Sequence, residues 1–133
     1  MKIDSHHHFW KYDPHTYSWM NEKMEVLKVD YQPIDLRKEI EEAGIDGVVS
    51  VQADQSLRET DDLLEHAKTN DFILGVVGWF PLADSNVKDL FDKYSNNQLL
   101  KGIRHVIQDE PDDNFILGVQ FNRGVSLLKE YNW

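Results

Sequence analysis

Three consecutive histidines close the run Asp4-Ser5-His6-His7-His8, and their types and spacing are suited to holding a cation. In an extended strand alternate side chains share a face, so His6 and His8 point the same way, as does Asp4, while His7 points to the other side. Two imidazoles so placed can converge on one ion: zinc accepts histidine nitrogen at about 2.0–2.1 Å, and a catalytic site needs about three protein ligands and an open position for water. His6 and His8 are therefore the candidate metal ligands, for a divalent ion of which zinc is the first choice, in a site that two ligands leave incomplete.

Arg104 and His105 end another apolar stretch and are the candidate catalytic residues. Because they are adjacent, regular strand geometry turns only one of them inward. An inward guanidinium grips a carboxylate or polarises a carbonyl, and an inward imidazole binds metal or moves a proton. The plainer alternative is a surface ion pair with Asp109 or Glu110. Gln52 and Trp79 stand at the same ends of their own strands and are candidate substrate-binding residues, although a large aromatic more often fills or covers a core. His15 and His66 read as loop and helix-surface residues, and Asp61-Asp62 and Asp112-Asp113 as solvated faces or turns.

Four βα units must position these residues. The first strand spans Lys2 to His8, and roughly two dozen residues follow it, against about 2–6 in an ordinary βα loop. This interval carries Phe9, Trp10, Tyr12, Tyr17 and Trp19, a lid, a substrate wall or a hydrophobic flap. A first helix runs from about Ile34 to Ala43, with Pro33 at its entrance, Leu36, Ile40 and Ala43 on one face, and Gly44 past its end. Gly47 to Ala53 is a strand buried on both sides, and Leu63, Leu64 and Ala67 mark the next helix. Ile73 to Phe80 is the third strand; Ser85 is the expected N-cap of a helix bearing Val87, Leu90, Phe91 and Tyr94. Gly102 to Ile107 is the fourth strand, and Val125, Leu128 and Tyr131 suggest a last amphipathic helix. No G-x-G-x-x-G follows any strand, so the series suits a (β/α)8 TIM barrel better than a dinucleotide fold. A closed barrel needs about 250 residues, so residues 1–133 form one partial domain of α/β class, the N-terminal half of a barrel with about four βα units.

With 14 basic and 24 acidic residues the net charge is −10, which repels nucleic acid and anionic lipid. No apolar run is long enough to span a bilayer and the first residues lack a secretory apolar stretch, so the expected location is the cytoplasm. The absence of cysteine excludes thiolate chemistry and leaves His, Asp and Glu as the metal ligands. An open half-barrel exposes strand edges and inner surface, so association into a homodimer is expected.

The motifs, in order, resemble those of the amidohydrolase-related proteins, which include L-fuconolactonase, rhamnonolactonase-like enzymes and 2-pyrone-4,6-dicarboxylate lactonase. The likeness rests on Ile3-Asp4-Ser5-His6-His7-His8-Phe9-Trp10, on Val51-Gln52-Ala53 with Glu59-Thr60, on Gly75-Val76-Val77-Gly78-Trp79, and on Gly102-Ile103-Arg104-His105 with Gln108-Asp109-Glu110-Pro111. The resemblance implies a distorted (β/α)8 barrel and a metal-dependent hydrolase opening a cyclic ester, such as a sugar lactone, to a hydroxy acid. It also implies that His6 and His8 match the first-strand H-x-H, and Arg104 and His105 a fourth-strand motif near the substrate. The family's later histidine and last-strand aspartate, the expected general base, have no counterpart here, which leaves open an inactive, self-associating half-barrel. The family more often has glutamine where this chain has His7.

Overall fold

The structure, a computed structural model, describes residues 1–133. Four parallel strands, β1 (Ile3–His7), β2 (Gly47–Val51), β3 (Ile73–Gly78) and β4 (Leu100–Ile103), form one sheet in the order β1-β2-β3-β4. Helices α1 (Pro33–Ala43), α2 (Leu57–Thr69) and α3 (Val87–Tyr94) link successive strands, and α4 (Val119–Leu127) follows β4. This is the α/β arrangement expected, with sequential strands adjacent and every link a helical crossover. No helix is long and apolar enough to cross a membrane.

Local chemistry explains most boundaries. Pro33 opens α1, the Gln32 N–H donates to the Asp35 carboxylate at 2.8 Å, and Gly44 closes the helix in the left-handed region at φ 65°. Ile40 is buried on this helix and Leu36 partly so, but Ala43 is exposed, which narrows the expected apolar face. Ser56 caps α2 by accepting from the Glu59 N–H at 3.2 Å, and Leu63, Leu64 and Ala67 are buried as their spacing requires. The residue capping α3 is Asn86 rather than Ser85, and its side chain makes no capping bond. β4 begins at Leu100 and ends at Ile103, two residues ahead of the expected start and four short of the expected end. The last apolar stripe divides into α4 and a 3-10 turn, Leu128–Glu130.

The core lies between the sheet and the helices. Val48, Ile73, Val76 and Leu100 from the strands meet Leu63, Val87, Phe91 and Phe121 from the helices. Phe80, just past β3, is fully buried edge-on against Phe91, with ring centroids 5.6 Å apart. α4 reaches this layer through Gly124, where a Cβ would stand 1.9 Å from the Leu82 carbonyl oxygen.

The long interval after β1 is a closed loop with structure of its own. Trp10 and Tyr31 exchange backbone hydrogen bonds of 3.0 and 2.9 Å across its neck. Inside it, Glu22–Leu27 is 3-10 helix capped by the Asn21 side chain.

Candidate active-site cleft

β1 delivers the histidines with one irregularity. Asp4 lies opposite Val48 and His7 opposite Ser50, so β1 carries one extra residue between these points. The bulge puts Asp4 and His7 on one face, where regular alternation would separate them. Asp4 therefore does not join His6 and His8. The His7 Nε2 lies 3.2 Å from the Ser50 hydroxyl and its ring meets Phe9 edge-on, and burial takes its pKa down to about 4. His6 and His8 are together, with ring centroids 4.9 Å apart.

The His8 Nδ1 lies 2.9 Å from the Val51 carbonyl, an acceptor only, so Nδ1 carries the proton and donates. This leaves Nε2 free to face a ligand, the arrangement a carbonyl-supported metal histidine adopts. Burial, with His6 and Arg104 adding to it, holds the imidazole below its ordinary pKa and hence neutral. The donor set fits part of a divalent metal site: two imidazoles are neighbours, but no three His, Asp or Glu side chains cluster so as to hold an ion.

Beside His8 the ends of the sheet enclose a cleft of about 460 Å³. His8 and Arg104 form its polar floor, Trp10, Trp19 and Leu27 from the long loop form one wall, and Ala53, Val106, Gln108 and Asp109 complete it. Trp10 is fixed by its indole N–H, which lies 3.1 Å from the Leu27 carbonyl and 2.9 Å from that of Val29.

Adjacent Arg104 and His105 lie just past β4, and their side chains part. The Arg104 Nη1 crosses β3 and donates to the Gln52 carbonyl at 2.9 Å, while the Gln52 Nε2 donates to the Arg104 carbonyl at 3.3 Å. Gln52 is wholly buried in this reciprocal clasp and positions Arg104 without lining the cleft. His105 turns to the helix side, stacked on Phe115 with centroids 5.0 Å apart, and its Nε2 lies 2.6 Å from Glu110. Glu110 was the partner the plainer alternative offered, but the His105 side chain is only 7% exposed, so the contact is no surface pair. Trp79 donates from its indole nitrogen to the His105 Nδ1 at 3.2 Å and also stands behind the cleft.

Sequence reasoning passed over three contributors. Gln108 and Asp109 reach the cleft from a short 3-10 turn, Ile107–Asp109, whose existence no periodicity signals. Glu59 is buried behind the Ala53 wall, accepting from the Ala53 and Asp54 N–H groups at 2.8 and 2.7 Å and from the Tyr17 hydroxyl at 3.4 Å. Ser56-x-x-Glu59 ahead of an apolar run is the signal that could have found it. The carboxylate reaches back to residues 53 and 54, ahead of the cap itself.

Comparison with known proteins places this geometry. The family described as Amidohydrolase matches residues 3–133. The chain is 35% identical over 130 residues to an L-fucono-1,5-lactonase of Burkholderia multivorans, covering 97% of this chain and 44% of that protein. An L-fucono-1,5-lactonase of Burkholderia ambifaria is 29% identical over 115 residues, covering 86% and 40% respectively. A crystal structure of an amidohydrolase from Burkholderia multivorans with bound zinc superposes with a TM-score of 0.94 at 34% identity, over 100% of this chain and 47% of that one. The probable 2-pyrone-4,6-dicarboxylic acid hydrolase of Acinetobacter baumannii, at 14% identity, TM-score 0.71 and coverage of 99% and 47%, shares the fold. The chain thus spans less than half the length of the curated relatives it matches. With a match over nearly its whole length, four parallel βα units and paired histidines at the end of the first strand, this chain belongs to the amidohydrolase family.

Proposed function

We propose that this chain forms the first part of the active site of a metal-dependent lactone hydrolase, with a sugar lactone or a similar cyclic ester as substrate. The observation that carries the reading is His8, its Nδ1 committed to the Val51 carbonyl, facing a cleft shared with Arg104, in a chain similar to two L-fucono-1,5-lactonases. His6 and His8 would hold the metal, with zinc the choice that the zinc-bound relative supports. A divalent ion there would supply a water acidic enough to attack an ester near neutral pH.

The remaining roles belong to the side chains. Arg104 spends one N–H on Gln52 and keeps its other donors for the negative charge that develops on a lactone carbonyl oxygen. Trp10 and Trp19 offer apolar faces to the C–H surface of a ring and keep water from part of the cleft. Gln52 and Trp79 would not touch substrate; they hold Arg104 and His105 where they are. The test is acid release from a panel of aldonolactones with added zinc. Arg104→Met is expected to lower kcat by about 10²–10³. If the parent protein releases no acid above the buffer rate from any of them, the lactonase reading fails.

A second reading, a self-associating half-barrel without activity of its own, draws on the sheet edges. β1 and β4 each have one unpaired side, and Ile34, Val119, Val26 and Leu117 are 81%, 80%, 73% and 72% exposed. Such a surface favours a second copy of the chain. Light scattering on the purified chain is expected to give a discrete dimer. A monomer at high concentration would remove this reading.

A further inference from the structure

In the turn that brings Gln108 and Asp109 to the cleft only Ile107 packs against the core, and only partly, so the polar contacts at its two ends bear on how it is held. At its leading end the Val106 N–H donates to the Gln55 side-chain oxygen at 2.7 Å. At its trailing end the Glu110 carboxylate meets the His105 Nε2 at 2.6 Å.

His105 is itself fixed. The Trp79 indole nitrogen can only donate, so the His105 Nδ1 beside it, at 3.2 Å, must accept. The ring proton is then on Nε2, which makes His105 a donor to Glu110. Phe115 stacked on one face and Phe121 edge-on at 5.5 Å leave the ring little freedom to turn. Both nitrogens are engaged, and the ring lies on the opposite side of β4 from Arg104.

We infer that Trp79, His105 and Glu110 form a positioning relay, Trp79 to His105 to Glu110, that pins the 107–109 turn against the cleft. His105 then acts from behind the site, and Asp109 and Gln108 are the groups that meet the substrate, with an acceptor and an amide suited to ring hydroxyls. The assignment deepens the lactonase reading and rests on it only for what the turn does once held.

The relay is read without any activity, by hydrogen exchange over residues 106–110 and by ¹⁵N NMR of the imidazole. Expected are an Nε2–H tautomer in the parent and, in Glu110→Ala, exchange over the turn about tenfold faster with α2 unchanged, as loss of one charge-assisted hydrogen bond allows. His105→Gln, whose amide nitrogen replaces Nε2, is expected to stay near the parent, whereas His105→Asn, whose amide falls short of Glu110, matches Glu110→Ala. An Nδ1–H tautomer, or unchanged exchange in Glu110→Ala, overturns the relay. If the exchange and tautomer results hold while no lactone is opened, the relay stands and only the lactonase reading falls.

Discussion

Two glutamates brace the cleft from opposite sides, and they are buried to different depths. Glu59, behind the β2 end, is 6% exposed and meets only neutral donors, two backbone N–H groups and a phenol. Glu110, behind the β4 end, is 20% exposed and bonds an imidazole at 2.6 Å. At Glu59 burial outweighs the N–H donors and pushes the pKa up from 4.5 to about 7. The same buried carboxylate also keeps the Tyr17 phenol protonated, burial of the phenol being the larger cause. A carboxyl buried this deeply, with no cation beside it, thus becomes a group that titrates near neutrality. Through Ala53 and Tyr17 it ties the β2 wall to the long loop that bears Trp10 and Trp19.

The largest effect expected from this contrast is on stability against pH. Because the folded-state pKa of Glu59 lies above its unfolded value, the contribution of the neutral acid is full below about pH 4.5 and is lost as pH rises through about 7. Glu59→Gln keeps a neutral group there at every pH. The parent should lose about 3 kcal/mol relative to this variant between pH 4.5 and 8, read from urea midpoints. Midpoints that move in parallel would show that Glu59 stays ionised throughout, as its two N–H donors favour, and that its burial does not set it apart.

A smaller effect sharpens the contrast. Tyr17→Phe removes the only side-chain donor to Glu59, and a double-mutant cycle with Glu59→Gln should return a coupling of about 1 kcal/mol. Additive losses would mean that the 3.4 Å contact is packing and adds no hydrogen bond to those at the neck of the loop.

The two braces also mark how far residue order carries. The spacing of apolar residues around Leu63, Leu64 and Ala67 was enough to place α2, because burial of a helical stripe depends only on period. Pro33 and Gly44 bracketed α1 for equally local reasons of φ and missing donors. Ser85 failed as a cap because the turn before α3 runs one residue longer, leaving Asn86 at the boundary. β4 was placed late because Leu100 already pairs with Val76 of β3, while Arg104 and His105 lie beyond the ladder.

For the cleft, the sequence by itself determined that His6 and His8 share a face and that Arg104 and His105 cannot, since both follow from the alternation of a strand. Tertiary structure alone decided the rest. Asp4 leaves the histidine face because of a bulge in the pairing with β2, and a bulge is a property of two strands. His105 faces helices because Phe115, Phe121 and Trp79 surround it, and those residues come from different parts of the chain. Which neighbour a polar side chain meets depends on contacts 26 residues apart, as with Trp79 and His105, or 52 apart, as with Gln52 and Arg104. Periodicity, which reaches only a few residues along the chain, carries no record of them.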